Sequence, residues 1–297
     1  MDSPLPFEES VTLFIHIFLC LAMLCIGMSA TFREMGSSIL EREKLARVLA
    51  ANVFVPPIIA ILIIGFFPLP RPVSVVLFLL AVAPGGINAV QFSTKAPGQV
   101  GAAGALLFLL SIIGLILAPA AAQIVLPTDA LERVAWDQLL IRIVAVIGIP
   151  LLLGMLIRRF FPTVAEHIYK PAMLISTVSF IASVVASLGT RQEAAVGLGP
   201  MSLIAMLIFI LSLMAVGWFL GGSNREYKQV LAICTNLRNV GLVYLLVDAC
   251  CFNPAYSASV LAFMTLMVPI NLVFTIICAV VRKRQNQARK DGEGTGA

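Results

Sequence analysis

Two short stretches hold most of the residues able to handle charge in a chain that is otherwise apolar. The first, "APGGINAVQFSTKAPG" (83–98), sets Pro84, Gly85 and Gly86 before Asn88, Gln91, Ser93, Thr94 and Lys95. The second, "TNLRNVGL" (235–242), gathers Thr235, Asn236, Arg238, Asn239 and Gly241. Arg238 lies inside a run apolar enough for a bilayer, where a lone charge costs roughly 2.5 to 3.5 kcal/mol even on the gentler insertion scales. A planar guanidinium with a forked set of donors, beside the amide of Asn239, suits a carboxylate or a sulfonate. Proline removes a helix donor and glycine loosens the backbone, so both stretches read as broken helices. At such a break, free amides offer a positive helix start to an anion, and free carbonyls offer oxygens to a cation.

The composition says where these stretches must sit. The 297 residues are 60% hydrophobic and only 12% charged, against about a quarter charged in soluble domains. Apolar segments of about 20 residues recur along nearly the whole length, which makes the chain an all-α integral membrane protein with one transmembrane domain. Its net charge of +5 is spread through short loops and the tail without interleaved aromatics, so nucleic acid is not an expected partner. The six cysteines form no CxxC pair and read as buried thiols. The first apolar segment follows Asp2, Glu8 and Glu9 instead of a basic region and is expected to stay in the protein.

Hydropathy divides the chain into about nine spans, at 11–31, 46–67, 73–95, 99–125, 137–160, 169–189, 200–221, 226–252 and 255–282. With the N-terminus outside, fifteen Lys and Arg fall on the inner side, against Arg71, Arg133 and Arg191 on the outer side. That asymmetry predicts a multi-pass protein of the inner or plasma membrane, N-terminus out and C-terminus cytoplasmic. Spans three and eight, which carry the breaks, then run antiparallel. Interrupted helices at matching places in two oppositely oriented halves point to inverted repeats with a site near the midplane. The expected first repeat is 11–125, the linking helix 137–160, the second repeat 169–282 and a basic cytoplasmic tail 283–297.

The single residues have quieter readings too. Asn88, Gln91 and Asn239 serve as helix-to-helix glue in many membrane proteins, and their place beside the breaks raises a ligand role. Arg238 could be hydrogen-bonded to carbonyls for structure alone. Asp248, an acid inside the eighth span, could relay protons or could sit solvated near the outer end. His16 lacks a partner at metal-ligand spacing and reads as a satisfied polar group between helices. No metal or catalytic set is expected. HExxH, GxSxG and phosphate-loop motifs are absent from the sequence, as is a close pair of intramembrane carboxylates, and the chain does not read as an enzyme.

With these residues in view, the chain resembles the bile acid:sodium symporter family over nearly all of its length. The resemblance rests on Pro84, Gly85 and Gly86 with the small-residue-rich span after them, and on "TNLRNVGL", above all Asn239 and Gly241. It implies nine or ten spans, with two discontinuous helices crossing at the substrate and sodium sites. This sequence departs from sodium-coupled members, with Ala89 and Val90 in place of a Ser-Asn pair, and Cys234 and Arg238 in place of a glutamate and a glutamine. Ala103 and Leu107 stand where hydroxyls are found. Asn52 keeps a comparable oxygen, and a cation site could use Asn52, Thr94 and Asn236. Arg238 falls where a sodium ligand would be, so its guanidinium could replace the cation and hold an anionic substrate directly.

The function implied is secondary active transport of a small organic anion, by alternating access between a core with the two broken helices and a panel-like remainder. The substrate would be held by Asn88, Gln91, Arg238 and Asn239, with backbone groups around Pro84, Gly85, Gly86, Thr235 and Gly241. No cofactor is implied, and a sodium ion is the one coupling ion that the resemblance brings. Proton-coupled or uncoupled carriage by the same fold stays open, as does a membrane sensor that transports nothing. The lipid bilayer is the surrounding partner, and the sequence leaves the oligomeric state undecided.

Overall fold

The computed structural model describes residues 6–29, 42–85, 100–126, 135–190, 197–251 and 253–294. Within them every regular element is helical, and a helix or a helix pair falls at each expected span, the third being helical over Arg71–Val82 with 86–95 outside the described residues. We number these α1 (Pro6–Ser29), α2 (Arg42–Phe66), α3 (Arg71–Val82), α4 (Val100–Val125), α5 (Trp136–Phe160), α6 (Pro162–Thr190), α7 (Gly199–Leu220), α8 (Arg225–Asn236), α9 (Val240–Cys250) and α10 (Pro254–Gly294). Seven helical segments are long and apolar enough to cross a membrane, Arg225–Cys250 counting as one, while α3 is a shorter apolar helix.

Proline marks most of the irregularities. In α2 the turn Ala50–Phe54 widens to π geometry just ahead of Pro56 and Pro57, and in α5 Val144–Gly148 does so ahead of Pro150. A proline supplies no N–H and its ring presses on the carbonyl four residues back, so the preceding turn opens to make room. Pro70 precedes α3 as its N-cap, Pro72 stands in its first turn, and Pro162 is the first residue of α6. The N-cap of α8 is Asn224, whose Oδ1 accepts the amides of Glu226 and Tyr227 at 2.9 and 3.2 Å.

Two boundaries differ from the hydropathy reading. The sixth helix starts at Pro162 instead of 169, because "PTVAEHIYK" continues the helix and turns Ala165 onto Cys25 and Met28 of α1. The tail expected from 283 is a helical continuation of α10 to Gly294, since Lys, Arg, Gln and Ala are all good helix formers.

The packing falls into two groups. One consists of α1, α5 and α6, with α1 lying along both of the others. Its closest approach is at Gly27 and Gly154: a Cβ on Gly27 would overlap the Leu151 carbonyl oxygen, and one on Gly154 that of Leu24. The other group joins α2, α3, α7, α8, α9 and α10, with α9 against α3, α4, α5 and α10. Every residue of the most apolar stretch of Arg225–Cys250 is buried, against 22% in Pro254–Arg282. The eighth span is therefore the central one, and its arginine is enclosed by protein instead of lipid.

Candidate functional site

The two broken helices touch at their breaks. The first leaves helical geometry after Val82, and Ala83 to Gly85 run irregularly, with Gly85 at φ +93°. A side chain there would meet Ser111 of α4, whose backbone N and Oγ lie 2.8 Å from an added Cβ. The second break is Leu237 to Asn239. The main-chain N–H of Asn239 donates to the Ala83 carbonyl at 3.0 Å, which ties one break to the other.

Arg238 occupies the centre of this junction and is 2% exposed. Its Nε donates to the Leu80 carbonyl at 2.9 Å, Nη1 to Thr235 at 3.3 Å, and Nη2 to Asn52 at 3.0 Å and to Ala81. Each acceptor has a local reason to be available, although the Leu80 carbonyl also accepts the Ala83 amide at 3.3 Å. Leu80 and Ala81 belong to the last turn of α3, and the residue four places after Leu80 is Pro84, which has no N–H to give. Thr235 is in the last turn of α8. Asn52 faces Pro56 and Pro57 at the fourth and fifth places after it, so neither an α nor a π bond can use its carbonyl. The carboxyl ends of α3 and α8, each carrying a partial negative charge, thus meet at one guanidinium. Among the described residues no carboxylate pairs with it.

Around the clamp lie buried polar atoms with no hydrogen-bond partner among the described residues: Asn52 Oδ1, Thr235 Oγ1, Asn239 Nδ2, and both the oxygen and the nitrogen of the Asn236 amide. Asn52 Nδ2 is held by the Val48 carbonyl at 3.0 Å, and Asn239 Oδ1 caps α9 by accepting the Leu242 amide at 3.2 Å. A buried polar atom left alone costs about 1 to 3 kcal/mol. These atoms gather polar, hydrogen-bonding capacity at the point where the two breaks meet.

The amino end of α9 opens on a crevice between the two helix groups. Its walls are Ile15 and Phe18 of α1, Ser183 of α6, Val240, Gly241 and Tyr244 of α9, and Val260, Leu261 and Met264 of α10. Gly241 keeps it narrow, since a Cβ there would run into the Leu19 side chain. Three of the sequence-derived sites therefore come together at the junction: the Pro84–Gly85 break, the Thr235–Gly241 stretch and Asn52. Gly86, Asn88, Gln91 and Thr94 lie outside the described residues. Asp248 is half-buried on α9. His16 is remote from the clamp: its Nδ1 bonds the Thr12 carbonyl at 2.6 Å and its Nε2 accepts from Arg142 Nη2 at 3.0 Å, which joins α1 to α5. Sequence reasoning missed the acceptors of Arg238 and the part of Ser111. The resemblance singles out Asn52 for its side-chain oxygen, and the Pro56–Pro57 pair is the signal that could have marked its carbonyl.

No curated protein matches the chain. The model of the Sodium Bile acid symporter family matches residues 16–221, which takes in the first break and stops short of α8 and Arg238. With seven helical segments among the described residues long and apolar enough to cross a membrane, a proline-glycine break after α3 and a family match over more than half of its length, the chain is a membrane transporter that belongs to the sodium bile acid symporter family.

Proposed function

We propose that this protein is a secondary transporter that moves a small organic anion across a cell membrane by alternating access at the junction of its two broken helices. The observation that carries the reading is the Arg238 junction itself, where two helix ends, an Asn-capped helix start and a buried positive charge meet beside a crevice between two helix groups. An anion entering that crevice would meet the positive amino end of α9, next to Asn239, whose Nδ2 has no partner among the described residues. The walls are apolar and the crevice is nearly closed in this state, so a hydrocarbon body would enter only as the two helix groups part. Asn88 and Gln91 follow the first break in sequence and complete the proposed polar set. Arg238 contributes its charge from behind, through the carbonyls that it holds.

Movement of the α1, α5 and α6 group against the remainder would open the crevice to one side and then to the other. The repeats 11–125 and 169–282, with 137–160 between them, are the units that this motion would relate. The charge asymmetry of the loops supports the N-terminus outside and the C-terminus in the cytoplasm.

A second reading, coupling to sodium, is favoured by the family's description and by the unpartnered oxygens of Asn52, Thr235 and Asn236, with Thr94 as a further ligand. Coupling to protons would call on Asp248. Reconstitution into liposomes tests all three. Saturable uptake of labelled organic anions, with counterflow when the lumen is preloaded, is the expected result. A sodium gradient or a pH gradient that accelerates it identifies the coupling ion. Ligand binding without uptake would make the protein a sensor and end the transport reading.

A further inference from the structure

We propose that Arg238 is a resident cation: its guanidinium fills a place built for a free monovalent cation, so the chain itself supplies one positive charge of the junction. Carbonyl oxygens from three separate segments converge there, from Leu80 and Ala81, from Thr235 and from Asn52. Two of those segments are helix carboxyl ends, whose partial charges attract cations, and the third is kept out of its helix ladder by two prolines. Converging carbonyls at broken-helix ends are the environment in which transporters strip and hold small cations. The guanidinium satisfies that ring with no carboxylate beside it among the described residues, and a second cation among the same oxygens would face its charge at contact distance. The family whose model matches this chain is described by sodium. The carbonyl ring that Arg238 holds does not fit a sodium ion as long as the arginine is present, so sodium coupling would need the side-chain oxygens beside that ring instead.

The consequence for transport rests on the function proposed above. A tethered charge returns with the empty carrier and is not released with the substrate. Anion affinity then gains from that charge without any dependence on sodium at this position.

The test separates the two ideas. Wild type, Arg238→Gln and Arg238→Lys are purified whole, and their melting temperatures are compared in sodium chloride and in choline chloride at equal ionic strength. Glutamine removes the charge and leaves the carbonyls unsatisfied, so that variant should show a sodium-specific rise of roughly 5 °C or more beyond any seen in wild type. If it can be recovered monodisperse in sodium only, the proposal is likewise supported. Lysine keeps a cation in place and should show no added sodium response. A glutamine variant that melts alike in both salts, or aggregates in both, overturns the proposal, as does a lysine variant that gains as much from sodium as the glutamine one. Wild type that transports no anion while the variants behave as expected would remove the transport reading and leave the resident cation standing.

Discussion

Asn52 and Arg238 stand 186 positions apart, and a 3.0 Å hydrogen bond joins the carbonyl of the first to Nη2 of the second. The bond exists because Pro56 and Pro57 deny that carbonyl every partner within its own helix. A local irregularity in α2 is in this way matched to a break in the eighth span. Neither segment alone accounts for the other.

Replacing both prolines should uncouple them. The double variant Pro56→Ala, Pro57→Ala gives the Asn52 carbonyl helical donors and lets the π turn close to α geometry. Proline inside a helix costs about 3 kcal/mol relative to alanine, so the melting temperature should hold or rise. Transport should fall, because Arg238 loses one of its acceptors. Unchanged uptake in liposomes would mean that the Asn52 contact is incidental.

Gly85 should tolerate no side chain. Its φ of +93° is unfavourable for any residue with a Cβ, and that atom would stand 2.8 Å from the Ser111 nitrogen and 2.9 Å from its Cα. Gly85→Ala should destabilise by about 2 to 4 kcal/mol, read as a melting temperature lower by roughly 5 °C or more. Adding Ser111→Ala should not rescue it, because two of the close atoms belong to the backbone. Rescue by that second change would show that only the hydroxyl was in the way.

The contact of α1 with α5 offers a control within one experiment. Gly154→Ala would drive a methyl into the Leu24 carbonyl oxygen, while a Cβ on Gly65 of α2 meets nothing within 4 Å. Gly65→Ala should be neutral or stabilising by up to about 1 kcal/mol. Gly154→Ala should destabilise by about 2 kcal/mol or more, because neither helix backbone can yield without separating the pair. Equal melting temperatures for the two variants would show that α1 and α5 do not pack this closely.

How much of this was legible in the sequence follows from which forces are local. The all-helical membrane architecture could be read, and seven of the nine expected spans are helical segments long and apolar enough to cross, because length and apolarity alone decide whether a segment suits a bilayer. The breaks could be read because Pro84, Gly85 and the polar run at 235–241 contradict a continuous helix at the residue itself. The acceptors of Arg238 could not, since Leu80 and Ala81 are ordinary apolar residues whose carbonyls matter only through where α3 ends. The start of α6 at Pro162 was missed because its first turns carry Glu166 and His167, which hydropathy weighs as loop although they lie on the exposed face of a helix. The helical end of α10 was missed for the same reason, as charge and helix formation are independent properties.

Asn239 combines two duties that substitution can separate. Its Oδ1 caps α9 through the Leu242 amide at 3.2 Å, while its Nδ2 is buried without a partner among the described residues. Asn239→Ala removes both groups and should cost about 1 kcal/mol of stability through the lost cap. Asn239→Asp keeps the capping oxygen, adds a negative charge at a helix start where it is tolerated, and replaces the amide donor with an acceptor. The aspartate variant should therefore melt near wild type yet lose at least about tenfold in apparent anion affinity, since one charge-assisted hydrogen bond is worth about 1.5 to 3 kcal/mol. Uptake measured over a range of substrate concentrations reads that loss as a raised KM. If the aspartate variant transports with wild-type KM while the alanine variant is merely less stable, Asn239 is a helix cap and nothing more, and the anion is held elsewhere in the crevice.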